Sequence, residues 1–323
     1  MHTEQPPKNT LNKWLIEYPD VEGNYGHTLL EQKPDLDLDL VSELRPYFES
    51  AHLDAREHFH AIMQIDLHPD ATAPGANATY PNCLPKIAQH GLFGEVLAGL
   101  ITECYEFVGK HDWSIPIFLF RYHAAAETYL YDLARDPEKT KQIFGRYGSD
   151  FLALNIASDG SVNRFISGEA KWRNSLTQSV ANTMLLGAKI EDPNGGEEKI
   201  HSGKGIWNEF NNDTQRPHGL SQLNRLLKDI APAEYAETIL SLDRILALEN
   251  PDNVERTDLV LLAGNGGKTR EAKSTLVAWE HKPEEYTAGN DLQVIELILM
   301  DGDKLVDQLY AELWQKGAED GTT

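Results

Sequence analysis

Apolar positions along this chain change their spacing several times, and each change marks a predicted element. Residues 1–35 are polar and dotted with proline, which predicts a loosely structured arm with one short helix around Trp14. Residues 36–52 (LDLDLVSELRPYFESAH) predict a short helical region interrupted at Pro46, since proline lacks the N–H that a helix interior uses. In residues 58–68 (HFHAIMQIDLH), His58, His60, Ile62, Gln64 and Asp66 alternate with Phe59, Ala61, Met63, Ile65 and Leu67. A period of two predicts a strand with one apolar face. Residues 86–109 read as a long, strongly apolar helix, 115–120 as a short buried strand, and 122–145 as two helices parted at Pro137.

The clearest local signal follows in GSDFLALNIASDGSVNRFISGEAKWR, where Asp159-Gly160 marks a two-residue turn between strands at 149–157 and 163–171. A helix is expected at 174–189, with apolar residues at Leu176, Val180, Met184, Leu185 and Ala188. Beyond a polar loop at 191–203, two helices cover roughly 218–248, strands fall at 258–263 and 291–299, and an amphipathic helix spans 302–315. This interleaving of helices and strands is that of an α/β fold.

Composition narrows the function classes. The chain has 323 residues, 41% hydrophobic and 25% charged, with no stretch near the ~20 apolar residues of a membrane helix and no apolar signal core at its start. A cytoplasmic location is expected. Cys83 and Cys104 are too few for a disulfide framework or a thiolate zinc site, and Cys104 lies in an apolar helical pattern as small core filler. A net charge of −22 argues against general nucleic-acid binding, which depends on neutralising phosphates. Any action on nucleic acid would need a local basic strip or a partner that delivers the substrate. His58 and His60 with Asp66 and His68 suggest zinc, but a full ligand set is not visible, so a polar strand face accounts for them better. The segment 259–273 imitates a phosphate-binding loop at Gly267-Lys268-Thr269, yet the glycine required five positions before Gly267 is Leu262. A nucleotide-binding switch at 264–269 is therefore a weaker alternative.

The hairpin carries the chemistry. With Asp159 and Gly160 in the turn, facing residues sum to 319, so Asp150 lies opposite Glu169 with Cβ atoms ~5 Å apart. Side chains alternate, so Glu169 and Lys171 share one face with Asp150, while Ala170 and Trp172 point the other way. Paired carboxylates repel, and a divalent cation relieves the conflict. Mg²⁺ suits them, because it takes hard oxygen ligands, often one or two carboxylates with water and phosphate completing its shell. The structural alternative is an ordinary hairpin with a Glu–Lys surface pair, against which stands the apolar character of FLALNI and RFISG.

Asp150 with Glu169-Ala170-Lys171 resembles the D…(D/E)-x-K motif of the PD-(D/E)XK nuclease superfamily, although Gly148-Ser149 stand where a proline often precedes the first aspartate. The resemblance implies a restriction-endonuclease-like α-β-β-β-α-β core, with residues 1–80 as an N-terminal extension and 81–323 as the nuclease domain. Residues of about 122–145 and 204–250 would be helical insertions. It further implies a catalytic set of Asp150, Glu169, Lys171, Glu95 and Gln178, and metal ligation by Asp150, Glu169, Ala170 and Glu95, with Mn²⁺ able to substitute for Mg²⁺. Trp172 is expected in the core rather than as a base-stacking platform, and contact of Arg173 with phosphate is the lesser reading of that residue. The GEAKW sequence and the acidic chain look most like nuclease subunits of the Hachiman anti-phage defence system. That likeness implies DNA cleavage controlled by a helicase or ATPase partner, with a homodimer as one way to cut both strands. A non-catalytic interaction scaffold is the alternative from another class.

Overall fold

The computed structural model describes residues 1–34, 38–63, 80–122, 149–193, 196, 198–213, 218–247, 254–266, 270–278 and 280–314. It is a mixed α/β structure around a six-stranded sheet. In chain order the elements are α1 (Lys8–Trp14), β1 (Leu15–Glu22), β2 (Tyr25–Gln32), α2 (Leu40–Met63), α3 (Lys86–Cys104), β3 (Phe151–Ile156) and β4 (Val162–Leu176). Then come α4 (Gln178–Leu186), the small strands β5 (Lys189–Ile190) and β6 (Ile200–His201), and α5 (Ile206–Asn212). The rest are α6 (His218–Ile230), α7 (Ala236–Ala247), β7 (Glu255–Gly266), β8 (Asp291–Leu299) and α8 (Gly302–Glu312). The sheet order is β1-β2-β8-β7-β4-β3, with β2, β8, β7 and β4 mutually parallel and the two edge strands antiparallel to their neighbours.

Burial follows the parity of each strand. On one face Ala153, Ile166, Ala170, Trp172, Leu259, Leu261, Ile295 and Leu297 pack with α1, α2, α3 and α8 in the largest core. The other face carries two separate apolar patches. Val260, Leu262, Leu292 and Val294 pack with α4 and α5, and Leu152, Leu154 and Phe165 pack with α6 and α7. Along β4, Ser167, Glu169 and Lys171 fall between those patches, after Phe165 and before Leu176.

Several expectations are corrected. The N-terminal arm is α1 followed by a hairpin that joins the sheet through β2 and β8. Its turn is Gly23-Asn24, with Gly23 at φ +59°, a short turn signal that Pro19 and the acidic residues of β1 obscure. The strand expected from residue 58 is helix as far as Met63, and 64–68 lie outside the described residues. Val41, Leu44, Phe48, Ala51, Ala55 and Phe59 form a stripe at helical spacing, which outweighs a short run of alternation. Pro46 sits inside that helix without ending it. The apolar helix ends at Cys104 rather than residue 109, and Tyr105 is already extended. Residues 115–119 are buried but pair with the sheet only through a bridge between Ser114 and Leu154. Strand β4 continues to Leu176, so the following helix starts at Gln178, capped by the Thr177 side chain. The helices expected at 123–145 lie outside the described residues. The paired helices near 218–248, the strand at 291–299 and the C-terminal amphipathic helix stand where the patterning places them.

Candidate functional site

The β3–β4 hairpin keeps the anticipated register by a different route. Its loop has three residues, Ser158-Asp159-Gly160, closed by hydrogen bonds from the Ala157 N–H to the Ser161 carbonyl and from the Gly160 N–H to the Ala157 carbonyl. Gly160 has φ +86°, and the register shifts by one at Asn155/Ile156. A three-residue loop with a glycine bulge displaces the pairing by one residue and the bulge restores it. From Asn155↔Arg164 to Phe151↔Gly168 the facing residues therefore follow the expected rule. Helix α7 holds the turn, since Thr238 Oγ1 donates to the Gly160 carbonyl at 2.9 Å and Ser241 Oγ accepts from the Val162 N–H at 3.0 Å.

At the other end Asp150 precedes β3, and its N–H donates to the Gly168 carbonyl at 2.8 Å. Gly168 is needed there, because a Cβ would fall 2.0 Å from Phe151 Cε1. Asp150, Glu169 and Lys171 then meet. Lys171 Nζ lies 2.9 Å from Asp150 Oδ2 and 2.8 Å from Glu169 Oε2, and Asp150 Oδ2 also accepts the Ala170 N–H at 2.9 Å. Side-chain exposure is 29% for Lys171, 19% for Asp150 and 9% for Glu169, so solvent reaches the pair from the lysine side. Ser149 and Ser167, both buried, share a hydrogen bond beside it.

Burial, then the neighbouring charge of Asp150, pushes the Glu169 carboxyl well above the usual carboxylate range, against the opposing pull of Lys171. Burial alone would depress Lys171, but Asp150 and Glu169 outweigh it and hold the ammonium above its ordinary value. Glu209 on α5 is a further negative charge acting on Glu169. Sequence reasoning missed it, because nothing in GIWNEFNN distinguishes it from a surface glutamate.

The chain matches no protein-family model and no curated protein.

Other anticipated residues fall elsewhere. Gln178 is exposed, and its Nε2 donates to Asn182 Oδ1 at 2.9 Å and to the Leu276 carbonyl at 2.5 Å, away from the acidic pair. Glu95 is buried on α3, which packs on the Ala170–Trp172 face of β4, and its charge acts on the hydroxyls of Tyr80 and Tyr310. Those two tyrosines bracket His52, at 3.1 and 3.0 Å. Trp172 is core, edge-on to Phe93 with centroids 5.1 Å apart. Arg173 is exposed and donates to the Trp172 carbonyl. His58 and His60 lie on a helix, where i and i+2 do not share a face, so the strand-based zinc arrangement is lost. The Gly267-Lys268-Thr269 loop lies outside the described residues. Burial pushes both Cys83 and Cys104 thiols up to about 12, which fits inert packing rather than nucleophilic use.

The donor set suits a hard cation in part. Asp150 and Glu169 offer carboxylate oxygens converging on one point, and Ala170 can contribute only a backbone carbonyl. Among the described residues no group of three or more His, Cys, Asp or Glu side chains is placed to hold a metal. Two carboxylates match Mg²⁺, which commonly leaves its remaining positions to water and substrate phosphate.

Proposed function

We propose that the chain is a divalent-metal-dependent nuclease that hydrolyses DNA phosphodiesters at Asp150, Glu169 and Lys171. The observation carrying this reading is the convergence of two carboxylates and one ammonium at the open end of a hairpin, with Glu169 buried beside a like charge. Asp150 and Glu169 would hold Mg²⁺ or Mn²⁺, and the bound ion would supply Lewis acidity and a lowered water pKa. The chain's own residues do the rest. Asp150 is fixed by the Ala170 N–H on Oδ2, the oxygen that also meets the Lys171 ammonium, so its carboxylate is held beside Glu169. Lys171 carries a proton on a flexible stem within reach of both carboxylates, so it can orient an attacking water or steady a phosphate oxygen.

The element order supports the restriction-endonuclease-like assignment within this reading. Helix α3, then β3, β4, α4 and β7 parallel to β4 keep the order of that core, with the buried run near residue 115, which meets the sheet at a single bridge, in the place of its first strand. With a net charge of −22, productive contact with DNA would fall to a partner, for which a helicase or ATPase of a defence system is our choice. No helix among the described residues is long and apolar enough to cross a membrane.

A second reading has its own support. Lys171 already bonds both carboxylates, so the cluster could be a structural ion triad inside an interaction scaffold. Incubation with linear and supercoiled DNA in Mg²⁺, with EDTA and with Glu169→Gln as controls, separates the two. Metal-dependent cutting lost in the variant supports the nuclease. Unchanged cutting in the variant makes the cluster structural and moves catalysis elsewhere, and no cutting by the wild type with its partner present leaves the scaffold.

A further inference from the structure

The same three residues suggest how such a site is kept quiet. Lys171 Nζ stands where the two carboxylates converge, 2.9 Å from one and 2.8 Å from the other. Magnesium coordinates oxygen at about 2.1 Å, so ion and ammonium cannot share those oxygens without strong repulsion. Asp150 Oδ2 cannot turn away freely, because it also holds the Ala170 N–H. The lysine can move. It is a point charge on four methylenes, and 29% of its side chain is exposed.

Resting on the metal-dependent reading above, we propose that the Lys171 ammonium is a built-in competitor of the divalent cation, holding the Asp150–Glu169 pair closed until it is drawn off the carboxylates. With the ammonium in place, the cluster presents one net negative charge to an incoming ion; with it withdrawn, two. A phosphate of the substrate backbone is the chemical partner suited to draw it away, since it offers the ammonium a competing anion. Metal affinity in the free protein is then low and rises with substrate.

The test is a Mn²⁺ titration of the full chain, followed by calorimetry and by loss of the free-ion EPR signal. Lys171→Met keeps the stem and removes the charge, and should bind Mn²⁺ about tenfold or more tightly than the wild type. Asp150→Asn combined with Lys171→Met should lose that gain, which places it at this pair. Lys171→Gln serves if the methionine variant does not fold. Equal affinity in the wild type and the charge-removed variant overturns the competitor while leaving metal binding intact. If none of the proteins binds Mn²⁺, the metal-dependent reading fails and the competitor with it.

Discussion

The same sheet face holds two clusters in which two carboxylates meet one cation, and they are built differently. In the first, Asp150 and Glu169 share the Lys171 ammonium at the end of β3. In the second, Arg256 on β7 reaches Asp258 at 2.6 Å and Asp213 at 2.8 Å, while the other Asp258 oxygen accepts from Tyr286 at 2.6 Å and Asn290 at 3.1 Å. Asp258 is fully buried, with neutral donors and a planar guanidinium satisfying both of its oxygens. That arrangement ties the 286–290 loop and the end of α5 to β7. The lysine cluster lacks that enclosure: its cation sits on a flexible stem, its edge is partly exposed, and burial beside a like charge pushes the Glu169 carboxyl up. A planar fork buried among neutral donors makes a lock, whereas a point charge on a flexible stem leaves a site that another cation can take over.

The sharpest way to break this contrast is catalytic. Lys171→Ala or Glu169→Gln should lower metal-dependent DNA cleavage by about 10²–10⁴-fold, the range for removing a positioned proton-transfer group. Single-turnover assays check it, and wild-type rates in both variants would reduce the first cluster to the same kind as the second. The next effect is on stability. Asp258→Ala leaves Arg256 in the interior without its main partner and should cost about 3–5 kcal/mol in urea unfolding. Lys171→Met should cost clearly less, because this cluster is partly exposed and water can solvate it when the ammonium is gone. Equal losses would mean that both clusters are locks.

A smaller effect comes from proton linkage. Folded Glu169 binds its proton more tightly than the unfolded chain does, so its contribution to stability is present at low pH. That contribution drains away as pH rises past the ordinary value of 4.5. Wild-type stability should therefore carry a falling limb above that pH, and Glu169→Gln should flatten it. Urea midpoints across the acid-to-neutral range measure the difference, and parallel curves would show that burial does not strain this carboxylate.

How far the sequence could be read depended on what each pattern competes with. The Asp150–Glu169 pairing was legible because hairpin parity is rigid: the turn is a residue longer than Asp159-Gly160 suggests, yet the bulge returns the register. The edge hairpin β1–β2 was not legible, because β2 is an interior strand buried on nearly every residue and shows little alternation. Alternation from residue 58 misled for the opposite reason, since its first residues fit both periods and only the longer stripe from Val41 to Phe59 decides. Glu95 stood out as a lone acid in an apolar helix, but α3 packs on the Ala170–Trp172 face of β4, opposite the acidic pair, and composition does not say which face a helix takes. Glu209 needed the third dimension, because its charge acts on Glu169 only once α5 has packed on the sheet.

The least disruptive change tests where the site ends. Gln178 and Thr177 are neighbours at the start of α4, and each makes a hydrogen bond, but of different kinds. Thr177 Oγ1 caps the helix by accepting from the Val180 N–H, so Thr177→Ala should cost about 1 kcal/mol. Gln178 is exposed and ties α4 to the Leu276 carbonyl, so Gln178→Ala should change stability by no more than about 0.5 kcal/mol. Neither side chain is directed at Lys171, and cleavage by both variants should stay within about twofold of wild type, a difference below ~0.5 kcal/mol in barrier. A large loss of cleavage in Gln178→Ala with unchanged stability would extend the site across the face of α4.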